Sequence, residues 1–240
     1  MVPLSDNNPT RTTPYIVFGL IVLNVLVFLY ELSLQGSGDN ALEQFFRIWA
    51  IVPAELTDSF NGRALNPIGE WVTLISSQFL HGGFAHLGGN MLYLWIFGNN
   101  IEDQMGHGRF LAFYLACGAL AGLAQWVFAP VSTVPTLGAS GAIAGVMGAY
   151  IIRFPKAQIL TLLPLIFIFT TARIPAVFFL GWWFVQQAFY GVAGLGANAD
   201  MGTGGVAYWA HAGGFVFGVV LGPLLGLFPK GQRPFDNNRR

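Results

Sequence analysis

Apolar residues in this chain gather into long runs, not into strict alternation. With loose boundaries the runs cover 15–32, 79–98, 109–129, 140–154, 174–193 and 205–228. Most approach the ~20 residues that a helix needs to cross a hydrocarbon core. The pattern predicts six membrane-spanning helices. The 140–154 run is short, and a loop dipping inward would set its first residue, Ser140, below the membrane surface. Gln158–Thr170 is apolar but brief and carries Pro164, so it reads as an interfacial or re-entrant segment. The first run follows a short tail without a small-residue cleavage site and reads as a retained span.

The one long stretch between runs is 33–78. Within it Leu42, Phe45, Phe46 and Trp49 recur at helical spacing, while Glu43 and Arg47 take other faces. That suits a helix in the membrane interface, or a small loop helix packed on the bundle.

Charge orients the spans. Six crossings put Arg11, Arg109, Arg153, Lys156, Arg173, Lys230, Arg233, Arg239 and Arg240 on one side and only Arg47 and Arg63 on the other. The excess of basic residues marks the cytoplasmic side, with both termini there. A seventh span at 158–170 would separate Arg153 from Arg173 and reverse the basic C-terminal tail. The organisation expected is a cytoplasmic tail at 1–14, a membrane domain at 15–228 and a cytoplasmic tail at 229–240. Composition agrees: 54% of residues are hydrophobic and 9% charged, against about 25% charged in soluble domains. The formal net charge of zero suggests no nucleic-acid partner. Cys117 is the only cysteine, so no intrachain disulfide forms and the residue reads as packing.

Polar groups inside the runs carry the candidate chemistry, because an ionisable residue in a bilayer is costly and points to a site. Ser140 opens the fourth run within Gly138-Ala139-Ser140-Gly141. His211 lies in Ala210-His211-Ala212-Gly213-Gly214, and His86 and Asn90 share a helix face in the second run. On the six-span topology all four fall at similar depth near the outer face. Gly141, Ala144, Gly145 and Gly148 in one run, and Gly214, Gly218 and Gly222 in another, offer small faces for close packing. Such packing would bring His211 against Ser140, a pairing suited to nucleophilic catalysis. No acid stands at the right depth to complete a triad, and Asp200 is not placed on the histidine by the sequence. Glu102 and Asp103, with Arg109 nearby, read as loop ion pairs. His81 and His86 are five apart without a zinc motif. No metal, nucleotide or other cofactor site is expected.

Together these segments resemble the rhomboid intramembrane serine proteases, over about Tyr15–Phe228. The pieces are Gly138-Ala139-Ser140-Gly141, the run from His81 to Asn90, and Ala210-His211-Ala212-Gly213-Gly214 with Gly218. The resemblance implies an all-α polytopic fold, a six-helix bundle with an interfacial first loop. It implies a Ser140–His211 dyad that cleaves membrane-anchored proteins near the extracytoplasmic face. The anticipated oxyanion donors are His86, Asn90 and the Ser140 N–H. A prokaryotic inner membrane is the expected location, with membrane-protein substrates and the lipid bilayer as partners. A non-proteolytic membrane-helix binder and a transporter are the competing readings. Two positions depart from the family pattern. Trp71-Val72-Thr73 lacks the arginine of a Trp-Arg pair, and Ala144 stands where some members carry an aromatic ring against the histidine.

Overall fold

The computed structural model describes residues 1–36, 40–64, 67–165, 168–194 and 206–228. Among the described residues three helices are long and apolar enough to cross a membrane: α1 (Tyr15–Gln35), α7 (His107–Phe128) and α9 (Ala176–Ala193). Two shorter apolar helices, α8 (Ser140–Arg153) and α10 (Tyr208–Leu224), pack among them. The second apolar run is a composite. Helix α5 (Phe84–Tyr93) continues through a π-turn at Leu94–Gly98 into α6 (Asn99–Met105). It stops at Gly106, whose φ of +79° suits glycine, and α7 begins at the next residue.

The fold is mostly helical but not all-α. Strand β1 (Val2–Asp6) pairs antiparallel with β2 (Gln158–Leu165), which pairs antiparallel with β3 (Ile168–Pro175). The expected interfacial or re-entrant segment is therefore half of a hairpin, and the expected N-terminal tail contributes an edge strand. Pro164 is tolerated because it pairs with Phe169 close to the hairpin end, where few ladder bonds follow. β-Branched and aromatic residues at Ile168, Phe169, Thr170 and Thr171 favour the extended form. The expected tail at 229–240, with Lys230, Arg233, Arg239 and Arg240, lies outside the described residues, as does Asp200.

Polar contacts pin the sheet to the bundle. Tyr150 Oη and Asn100 Nδ2 both donate to Asp6 Oδ2, and Asn8 Nδ2 donates to Tyr150 Oη at 2.7 Å. Burial pushes the Asp6 carboxyl up to about 6, outweighing the Tyr150 hydrogen bond that favours its ionised form. The folded state therefore binds this proton more tightly than the unfolded chain. Docking of β1 is strongest below pH 3.8 and weakens as pH rises through about 6. Asp6→Asn keeps an acceptor without the charge. Hydrogen-exchange protection of the Leu160 and Leu162 amides is expected to fall from pH 4.5 to 7 in the wild type and stay level in the variant.

The same end of the molecule corrects the loop ion-pair expectation. Helix α1 has Pro14 at its N-cap and no side-chain cap of its own, which leaves backbone donors open. Buried Glu102 supplies them, accepting from the N–H groups of Ile16 and Val17 at 2.9 Å each. Asp103 accepts from the backbone and hydroxyl of Thr12 and from the Arg11 N–H. The carboxylates join α6 to the start of α1, and Glu102 also meets His107 Nδ1 of α7 at 2.5 Å, so the pairing partner is a histidine and not Arg109.

At the opposite end the first loop folds into α2 (Ala41–Trp49), α3 (Pro53–Phe60) and α4 (Pro67–Ser76). Helix α2 buries no residue fully and leaves Ile48 and Trp49 exposed, with Phe45 edge-on to Tyr30 of α1. Helices α3 and α4 instead dock on α7. Trp126 stacks edge-on with Phe60 and Trp71, and its indole N–H donates to Thr57 Oγ1 at 2.9 Å. Ile51, Leu56 and Leu74 are buried beneath. This aromatic and aliphatic contact seats the first loop on α7.

Candidate active site

Ser140 is the first residue of α8, and the chain reaches it through Gly138, whose φ is +121°. A side chain at Gly138 would be strained by its backbone and blocked by space. Its Cβ would lie 2.7 Å from His86 Nε2 and 3.5 Å from Asn90 Nδ2. The Gly138 N–H donates to the Ser77 carbonyl at 2.9 Å, and Thr136 exchanges backbone hydrogen bonds with Ile51. The first loop thus fixes the approach to the helix start, where amide groups and the helix field favour negative charge.

His211 comes from the first turn of α10. That helix start has no side-chain cap of its own, and Gln125 of α7 accepts the Ala210 N–H at 3.3 Å. Trp209 stacks on Phe128 with ring centroids 3.9 Å apart. Below these anchors α8 and α10 touch backbone to backbone. A Cβ on Gly214 would overlap the Gly141 carbonyl, one on Gly218 the Gly145 carbonyl, and one on Gly148 the Phe215 carbonyl. Only glycine allows this approach, and the approach sets the distance between the two polar side chains.

Those side chains meet: His211 Nε2 and Ser140 Oγ are 2.7 Å apart. The other ring nitrogen, Nδ1, lies 2.8 Å from Oε1 of Gln187 in α9. An amide oxygen only accepts, so Nδ1 carries the proton and donates. In the neutral ring Nε2 is then the acceptor for the Ser140 hydroxyl. This is the tautomer a general base requires. Trp183, one turn before Gln187, lies against the imidazole at 5.8 Å between centroids.

The remaining sequence candidates line the same cavity. It measures about 610 Å³, and His86, Asn90, Ser140 and His211 all border it. Asn90 Nδ2 donates to His81 Nε2 at 2.9 Å, which spends one amide hydrogen and leaves the second. His81 is held in turn by its backbone N–H, which donates to the buried Glu31 carboxylate of α1 at 3.1 Å. A hydroxyl backed by an imidazole, a helix N-terminus and adjacent N–H donors can carry out acyl transfer. Among the described residues no cluster of three metal-ligating side chains occurs.

Sequence reasoning missed Gln187, His81 as the partner of Asn90, and Glu31. The signal for Gln187 was present: Gln186-Gln187 is a polar pair inside an apolar run. What was lacking was the rotation of α9. Ala144, fully buried, carries no ring toward the histidine.

A serine and a histidine joined by a hydrogen bond among apolar helices are the arrangement of a polar site within a membrane protein. A Rhomboid domain model matches residues 68–228, more than half of the chain, and the chain belongs to the rhomboid family. Rhomboid protease GluP of Bacillus subtilis is 36% identical over 138 residues, 57% of this chain and 24% of that protein. The mitochondrial Rhomboid protein 1 of Saccharomyces cerevisiae is 36% identical over 155 residues, 63% of this chain and 41% of that protein. The chloroplastic Rhomboid-like protein 11 of Arabidopsis thaliana is 24% identical over 241 residues, 96% of this chain and 72% of that protein. The chain matches less than half the length of the first two relatives.

Proposed function

We propose that the protein is an intramembrane serine endopeptidase of six spans, its membrane domain running over 15–228. The observation that carries this reading is the hydrogen-bonded Ser140–His211 pair with the ring nitrogen facing the hydroxyl free to accept. Ser140 attacks a peptide carbonyl as His211 takes its proton, and His211 then protonates the departing amine. Water hydrolyses the acyl-enzyme with His211 again as base. The Ser140 N–H, Asn90 and His86 stabilise the oxyanion. Each such donor is worth about 3–4 kcal/mol where removal has been measured in a protease.

The cavity is bordered by Ile51 of the first loop and by Val134–Leu137, at the end of the bundle opposite the sheet. With the basic residues of the sheet end in the cytoplasm, the site faces the extracytoplasmic side. Both termini are then cytoplasmic and the lipid bilayer surrounds the domain. The membrane is a prokaryotic inner membrane in this reading, with relatives from bacteria, mitochondria and chloroplasts. Substrates are segments of membrane proteins that unwind near that face, since a helix shields its own carbonyls. The GluP relative is named a protease.

A fluorophosphonate probe on detergent-solubilised protein tests the reading. Labelling at Ser140, lost in His211→Ala, is the expected result. An unlabelled wild type that still binds transmembrane peptides would turn the assignment to the non-proteolytic helix binder.

A further inference from the structure

We propose that Gln187 is the positioning residue for His211, an amide taking the place a carboxylate holds in three-residue serine hydrolase sites. The inference rests on the Ser140–His211 reading and adds the group that makes the histidine a base. Both ring nitrogens of His211 have partners: Nε2 meets Ser140 Oγ and Nδ1 meets Gln187 Oε1. No position on the ring remains for a carboxylate. Without an acceptor at Nδ1 the neutral imidazole can carry its proton on Nε2 instead, and it then donates to the serine oxygen and cannot take its proton. Gln187 Oε1, facing Nδ1, disfavours that tautomer.

Helix α9 holds the ring twice. Gln187 meets its edge, and Trp183, four residues earlier on the same face, lies against its plane while also packing on Phe215 of α10. This pair on α9 does the work for which α8 has only Ala144. An amide also suits the surroundings. A carboxylate in this half-buried apolar position would carry a desolvation cost and would stabilise the imidazolium. A neutral oxygen sets the tautomer and leaves the ring's charge state to the reaction.

The test compares Gln187→Leu and Gln187→Glu with wild type, using a transmembrane reporter in liposomes and ¹⁵N-histidine NMR in micelles. Gln187→Leu is expected to lower kcat by about 10–100-fold with KM within about twofold. That is less than the ~10⁴-fold loss when a triad aspartate is replaced by asparagine and the wrong tautomer is held, because leucine removes the acceptor without offering Nδ1 a donor. Gln187→Glu retains the acceptor, so it is expected to keep most of kcat while moving the acid limb of kcat/KM to higher pH. The His211 resonances should report a protonated Nδ1 in wild type and a loss of that tautomer in Gln187→Leu. Unchanged kcat and tautomer in Gln187→Leu would overturn the proposal. So would an equal loss in both variants with no shift of the pH profile, which marks a packing role. If Gln187→Leu does not fold, the pH shift of Gln187→Glu decides. Cleavage surviving in Ser140→Ala would instead reject the parent reading. The NMR comparison in that protein would still report on the Gln187–His211 bond.

Discussion

Ser140→Ala is expected to reduce turnover of a transmembrane reporter by about 10⁴-fold or more, with thermal unfolding nearly unchanged. In the proposed mechanism the hydroxyl supplies the attacking atom, and nothing else in the cavity would replace it. Its structural share is one hydrogen bond to His211, worth about 1 kcal/mol to folding. His211→Ala should fall to a similar level, and the double variant no lower. As a dyad the two groups would act as one unit, so that once either is gone the other has nothing left to do. Residual activity comes from the oxyanion donors and from substrate binding alone. Turnover measured in liposomes for both singles and the double checks this. A double variant with multiplied losses would show two independent contributions and break the dyad.

Gly218→Ala is expected to destabilise the protein by about 3 kcal/mol, the upper end of overpacking losses, although it adds one methyl. That Cβ would stand 2.6 Å from the Gly145 Cα and closer still to its carbonyl. A backbone cannot turn aside as a side chain can, so α8 and α10 must part. The helix-propensity gain of Gly→Ala, about 1 kcal/mol at most, does not offset this. Because the same contact sets the distance between Ser140 and His211, activity should fall with stability. Gly181→Ala in α9 is the control: nothing lies within 4 Å of its added methyl, and it should be neutral or stabilising. Unfolding in a denaturing detergent, followed by helical circular dichroism, would separate the two. Equal behaviour would remove the backbone-contact explanation.

Much of this molecule is legible without coordinates because the bilayer constrains sequence severely. A helix in hydrocarbon must satisfy its own backbone, so apolar runs announce elements such as α1, α7 and α9. Polar residues there carry enough energetic cost to stand out, and Ser140, His86, Asn90 and His211 did. The glycines at 214 and 218 announced a close contact for the same reason: small residues are how helices approach where water drives nothing.

Other features depend on pairings that local pattern does not encode. Strand β1 meets β2 across more than 150 positions, and nothing in Val2–Asp6 names that partner. Glu102 looked like a loop charge until the start of α1 was found against it. Gln187 was visible as a polar residue in an apolar run, but it becomes the neighbour of His211 only through the rotation of α9. Sequence by itself determined which residue types bear the chemistry, since transfer into hydrocarbon penalises each one separately. Tertiary structure alone decided which of them touch, with Nε2 of His211 toward Ser140 and Nδ1 toward Gln187. Hydrogen bonding depends on ångström-scale distance and direction, which only the packed helices set.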